Sequence, residues 1–217
     1  MTVAAVVVPG STEEALADTG GRIGVRRIVD SAWAGGALPI VVVAVDDGAI
    51  STALAGSPAV LVDPGSATGV SAYRIGVARA YDEVMETSAV LLWPGRMTWA
   101  DPETVTSLIE AHGRAADRIL RPHRAGESGW PILVPALVAT DLLRATEAPL
   151  GEVMAAAVTT PVELGDPGSV LGREVALDDL PDYAGPPEPV GGPPPEWGAA
   201  AAETPDPEVV DPDSPDG

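Results

Sequence analysis

Short apolar runs alternate along this chain with longer stretches whose apolar residues recur at helical spacing. Residues 2–8, 38–45, 59–62 and 89–93 hold almost no polar side chain. Such runs predict strands covered on both faces. Residues 23–34, 47–55, 71–85 and 102–115 read as helices, and in the third Ile75, Ala78 and Met85 fall near one face. Asp101-Pro102 predicts a sharp helix start, because aspartate accepts from the free first-turn amides and proline lacks one. A strand is expected at 117–121. Beyond it the pattern loosens into a strand at 132–134, helices near 136–145 and 150–157, and a strand at 160–164. Strands separated by helices imply parallel units with right-handed crossovers. The expectation is an α/β domain built on a single doubly wound, mostly parallel sheet. Ligands of such sheets bind at the carboxyl ends of the strands, which directs attention to the loops after Val8, Val45, Val62 and Trp93.

Composition changes this picture mainly at the far end. Residues 185–217 hold ten prolines, eight acidic residues and no basic one. Proline removes backbone donors, and so few apolar groups do not offset the entropy of ordering, so a disordered acidic tail is expected. That divides the 217 residues into a domain at 1–184 and a tail at 185–217. The tail reads as a solubilising or tethering extension, or as a segment that engages a basic protein partner, with Pro193-Pro194-Pro195-Glu196-Trp197 as a docking motif.

Twelve basic residues stand against thirty-two acidic ones, for a net charge of −20, and all twelve are arginine. A field this negative repels nucleic acid and anionic membranes. The absence of lysine excludes Schiff-base chemistry and an ammonium that grips phosphate. The absence of cysteine excludes disulfides, thiolate zinc sites and a cysteine nucleophile. No apolar run reaches the ~18 residues of a membrane helix, and the apolar start reads as a strand with no basic leader, so a cytoplasmic location is expected.

Candidate chemistry sits in the strand-end loops. Val8-Pro9-Gly10-Ser11 follows the first strand, where a glycine lets backbone amides approach an anion. Gly20-Gly21-Arg22 precedes the first long helix, and Asp63-Pro64-Gly65 leads through Gly69-Val70-Ser71 to Tyr73-Arg74-Ile75-Gly76. Pro94-Gly95-Arg96-Met97 follows the central strand, and Gly129-Trp130-Pro131-Ile132-Leu133 comes later. Asp46-Asp47 ends the second strand as a ribose or metal site, or as a helix cap. His112 and His123 carry no metal-ligand spacing and read as solvated or capping residues. Trp93, Trp99 and Trp130 lie near strand ends, in the core or along a cleft. Ser11, Ser66 and Ser71 show no serine-hydrolase pattern.

In order and spacing these segments resemble the MobA-like nucleotidyltransferases, a family with a Rossmann-like nucleotide-diphospho-sugar-transferase fold that includes the guanylyl- and cytidylyltransferases of molybdenum-cofactor synthesis. The resemblance covers roughly residues 3–180. The family's Asn-Pro…Gly-Met-x-x-Ser-Leu-Arg-x-Gly is matched best, by Asp63-Pro64, Gly69-Val70 and Tyr73-Arg74-Ile75-Gly76. Its Gly-Asp-x-Pro falls on Gly95-Arg96-Met97, and its Gly-His-Pro-Val-Leu on Gly129 to Leu133. Its closing acidic motif lies opposite Arg173 to Leu180. The resemblance implies a nucleotide partner held by Pro9, Gly10, Ser11, Gly69, Ser71, Arg74 and Arg96.

Departures from the family pattern bear on activity. The family's first loop carries Arg and Lys, whereas Thr12-Glu13-Glu14 stands here, placing two carboxylates beside a triphosphate. Its metal-binding aspartate is Arg96, which does not ligate Mg²⁺. The second acidic position falls on Glu174 or Val175. The expectation is a family member with a degraded metal and triphosphate site, no assigned catalytic or metal residue, and a role in binding or assembly. The alternative is an active transferase joining a nucleotide to a molybdopterin-like or phosphorylated acceptor, with Mg²⁺ held by shifted ligands such as Asp46, Glu174 or Asp178.

Overall fold

The computed structural model describes residues 1–144 and 149–171. In chain order these form β1 (Thr2–Val8), α1 (Thr12–Leu16), α2 (Gly24–Ala34), β2 (Ile40–Val43), α3 (Ala49–Ala53), β3 (Ala59–Val62), α4 (Val70–Glu83) and β4 (Thr87–Pro94). There follow α5 (Pro102–Arg114), β5 (Leu120–Arg124), β6 (Glu127–Ser128), β7 (Ile132–Pro135), α6 (Ala136–Arg144), α7 (Leu150–Ala156) and β8 (Thr160–Glu163). The tail at 185–217, the domain end at 184, and Arg173, Glu174 and Asp178 lie outside the described residues.

One sheet runs in the order β3-β2-β1-β4-β7-β5-β6, with β8 beside β5. The first four are mutually parallel, and β7 is antiparallel to β4 and to β5. The sheet is therefore doubly wound and mostly parallel. The chain steps outward from β1 to β3, then returns to the other side of β1 for β4. That reversal separates the loops after β1 and β4 and opens a crevice between them.

Coverage on both faces explains the apolar strands. Helices α2 and α5 pack together on one face, while α4 and α6 pack on the other. Val3 to Val7 of β1, Ile40 to Val43 of β2 and Ala89 to Trp93 of β4 are all buried. Each buried Val, Leu or Ile contributes about 1.5–3 kcal/mol relative to exposure. At α5 the cap is as expected: the Asp101 carboxylate accepts from the Thr104 amide at 2.7 Å, with Pro102 in the first turn. Asp166, far along the chain, accepts from the Thr104 hydroxyl at 3.1 Å and the Asp101 amide at 3.3 Å. Burial, with Asp101 nearby, raises its pKa.

Four expectations need correction. Residues 12–16 form the short helix α1 and not a loop. The buried face of α4 is Val70, Tyr73, Val77 and Ala80, whereas Ala78 is exposed and Met85, past the helix end, is 90% exposed. The cause is Gly76, which lies directly on the sheet: a Cβ there would stand 2.3 Å from Val6 Cγ1 and 2.8 Å from Val43 Cγ2. Strand β5 starts three residues later than expected, because Asp117 and Arg118 lie in the turn after α5, and Pro122 to Arg124 are held by pairing with β8 and β6. His112 is buried in the last turn of α5, not solvated. Its Nδ1 has no hydrogen-bond partner among the described residues.

Two outcomes follow. Gly76→Ala forces α4 away from β1 and β2, and is expected to lower the unfolding free energy by about 1–3 kcal/mol in a denaturant titration. Burial depresses the pKa of His112 below its ordinary 6.5, so the unfolded chain binds the proton first as pH falls. This residue therefore withdraws stability below about pH 6.5. Denaturation at about pH 7 and about pH 5 should show a smaller acid loss in His112→Leu than in the parent.

Candidate functional site

The crevice at the reversal holds a cavity of about 560 Å³. Its walls come from the loops after β1, β2, β3 and β4, with Trp130 and the start of α7 closing one side. The β1 and β4 loops are tied where they leave the sheet, since the Gly95 amide donates to the Val8 carbonyl at 3.0 Å. A Cβ on Gly95 would lie 2.5 Å from Pro9 Cα, so only glycine permits this approach. The β2 and β3 loops are joined in the same way, the Ala44 amide donating to the Val62 carbonyl at 3.0 Å.

Five of the seven expected site residues line this cavity: Pro9, Gly10, Ser11, Gly69 and Arg96. Ser71 and Arg74 do not. They pair with each other on α4, the Arg74 guanidinium donating to the Ser71 hydroxyl at 2.8 Å. Trp130 is buried and lines the cavity. Its amide donates to the Ser169 carbonyl at 2.8 Å, and the Arg121 guanidinium lies 5.6 Å from its ring centroid. Trp93 is a core residue whose indole donates to the Met97 carbonyl at 2.8 Å. Trp99 is also buried, under the Arg27 guanidinium.

Sequence reasoning missed the contact made by Glu14. Ser11 caps α1, its hydroxyl accepting from the Glu14 amide at 3.0 Å. Glu14 turns back, and its Oε1 accepts from the Gly10 amide at 3.2 Å. The signal was present as Ser11-Thr12-Glu13-Glu14, a Ser-x-x-Glu capping pattern. Of the two carboxylates expected beside a triphosphate, only Glu14 lines the cavity; Glu13 is exposed and caps nothing there. Tyr73 was quoted only as part of a motif, and it forms the buried floor. Its pKa is raised far above the usual tyrosine value, first by burial and then by the Glu14 charge, with Arg96 opposing. Glu14 and Arg96 therefore bear on one hydroxyl from within one cavity.

Arg96 is exposed on the cavity wall and makes no ion pair with Asp101 or with any other described residue. It is the one basic residue among the described lining residues, and Glu14 is the one acidic residue. Among the described residues no group of three or more His, Asp or Glu could hold a metal ion. Among the described lining residues Glu14 is the one carboxylate, and its Oε1 already accepts from an amide, whereas Mg²⁺ takes several oxygen ligands at near-octahedral geometry.

Two further candidates have partners outside the cavity lining. Asp46 accepts from the amides of Gly48 and Ile50 at 2.9 Å and of Ser51 at 3.2 Å, closing the start of α3. Its hydrogen bonding with Ser51 leads the set that lowers its pKa. His123 meets a carboxylate that spacing did not reveal, with Nδ1 at 2.8 Å from Glu163 on β8.

A family model for the MobA-like NTP transferase domain matches residues 9–161. The chain belongs to this family. Among solved structures, a nucleotidyl transferase from Methanothermobacter is 16% identical with a TM-score of 0.64, covering 82% of this chain and 94% of that one. The Mycobacterium tuberculosis protein Rv0371c in complex with manganese is 20% identical with a TM-score of 0.59, covering 76% and 88%. A CMP:2-keto-3-deoxy-manno-octonic acid synthetase complexed with CTP is 13% identical with a TM-score of 0.57, covering 76% and 91%. At these identities the structural matches establish the fold alone. No curated protein sequence matches the chain. Among the described residues no helix of this MobA-like domain is long and apolar enough to cross a membrane.

Since Asp46 accepts from the first amides of α3, Asp46→Ala should accelerate amide exchange at Ile50 and Ser51 and leave exchange at Gly10 and Gly95 in the cavity loops unchanged. Hydrogen-exchange mass spectrometry reads both regions in one measurement. Faster exchange at Gly10 and Gly95 would show that Asp46 also supports the cavity.

Proposed function

We propose that this MobA-like domain binds a nucleotide in the switch-point cavity and does not carry out metal-assisted nucleotidyl transfer, serving in binding or assembly. The carrying observation is that Arg96 stands in the cavity as its one basic wall residue, where the family pattern has a metal-binding aspartate. A guanidinium presents a planar fork of donors that pairs with phosphate oxygens in bidentate fashion. The apolar wall at Ala44, Val45 and Pro64 suits the sugar and base, and the parallel-sheet switch point is where such ligands bind. The fold match to a synthetase complexed with CTP supports a nucleotide as the partner.

Turnover is a different matter. Transfer requires the developing charge on the phosphates to be neutralised. The chain has no lysine, and the described cavity offers no set of carboxylates for a metal. The shifted-ligand alternative loses Asp46 to its helix cap, while Glu174 and Asp178 lie outside the described residues.

A thermal-shift screen of nucleoside mono-, di- and triphosphates tests this reading. A ligand present at a hundred times its Kd stabilises by about 2.7 kcal/mol, a shift such a screen resolves easily. Arg96→Ala should weaken the best ligand by about tenfold or more, the cost of a charge-assisted contact. Magnesium-dependent pyrophosphate release with a phosphorylated acceptor would overturn the absence of transfer, and no stabilisation by any nucleotide would overturn the binding.

A further inference from the structure

Resting on the nucleotide reading, we propose that Glu14 is a built-in anion that holds the first-loop amide and excludes polyphosphate, so that the cavity selects a nucleoside monophosphate. Glu14 is held at two points, its backbone amide and one carboxylate oxygen. The Ser11 hydroxyl accepts from the Glu14 amide at 3.0 Å and sets the start of α1. The Gly10 amide then donates to Oε1 at 3.2 Å. That amide belongs to the glycine after the first strand, the group a bound phosphate chain would take as a donor. A side-chain carboxylate already fills the role.

The fit around it is close. A Cβ on Gly10 would lie 3.0 Å from Glu14 Oε2, and one on Gly95 would lie 2.9 Å from Glu14 Oε1. Two glycines from different loops leave the space that the carboxylate occupies. Arg96 lines the same cavity, and the Tyr73 hydroxyl responds to both charges with opposite sign. The described wall thus carries one negative and one positive side chain. A single phosphate paired with Arg96 leaves the Glu14 contact intact. A triphosphate brings several negative charges, and its outer phosphates find a carboxylate on the amide and no lysine anywhere in the chain. Like charges brought together in one cavity repel.

The test uses the full chain and calorimetric titration of paired ligands (AMP with ATP, GMP with GTP, CMP with CTP), with and without Mg²⁺. In the wild type the preferred monophosphate should bind about tenfold or more tighter than its triphosphate. Glu14→Ala, which removes both charge and bulk and leaves the Ser11 cap, should raise triphosphate affinity about tenfold or more and shrink the monophosphate-to-triphosphate ratio clearly below its wild-type value. Glu14→Gln keeps an oxygen for the Gly10 amide and removes only the charge. It should produce a smaller change in the same direction, and it supplies the measurement should the alanine variant not fold. A monophosphate-to-triphosphate ratio that is the same in wild type and variants overturns this inference and leaves the nucleotide reading standing. Absence of binding by any nucleotide to any of the three proteins overturns the nucleotide reading, and this inference with it.

Discussion

The close parallel pairing of β1 with β4 is the constraint on which the remainder of the structure depends. It makes β1 a central strand, and it brings together two loops that leave the sheet side by side. At that exit the Gly95 amide bonds to Val8 and passes against Pro9 with no room for a side chain. The cavity is the space left when those loops diverge. Arg96 follows Gly95 by one residue and Gly10 follows Pro9 by one, so both chemical groups of the site are positioned by the same contact. Rigid strands fix the separation of the groups, and loops supply their identity.

The four parallel strands were legible because coverage on both faces leaves only apolar residues in them. The α5 start was legible because Asp101-Pro102 is a local signal that does not depend on tertiary context. Helix α1 was not, since five residues are too few for a period to show, although the Ser11–Glu14 capping pattern was there to be read. The face of α4 was assigned to Ile75, Ala78 and Met85 because apolarity alone was counted. The fold chose the face that carries Gly76, where backbone can reach the sheet. Strand β5 contains Pro122, His123 and Arg124, which no strand propensity favours; pairing with β8 and β6 overrides it.

The site divides along similar lines. Arg96 and the first-loop residues were identifiable from the order of motifs, because order along the chain maps onto loops at one edge of the sheet. Ser71 and Arg74 stand in the same motif, yet they lie along α4 and satisfy each other. A motif records which residues are near in sequence, and the helix decides which of them faces the cavity. The direction of Glu14 was legible only through the Ser11-x-x-Glu14 capping pattern. Whether a carboxylate points at solvent, at a ligand or at its own backbone depends on a capping geometry that composition does not report.

One contact seen at Trp130 has a consequence for how the domain is made. The tryptophan that walls the cavity is held by the carbonyl of Ser169, and a Cβ on its neighbour Gly129 would lie 2.3 Å from that same oxygen. Asp166, three residues earlier, is tied to the first turn of α5. The strands β1 to β4 are complete seventy-five residues before Ser169 (169 against 94) has been synthesised. A chain emerging from the ribosome therefore presents all four parallel strands before the residues that hold Trp130 have been made. The wall of the cavity waits for residues 166–169, so the site closes well after the strands that frame it have been made.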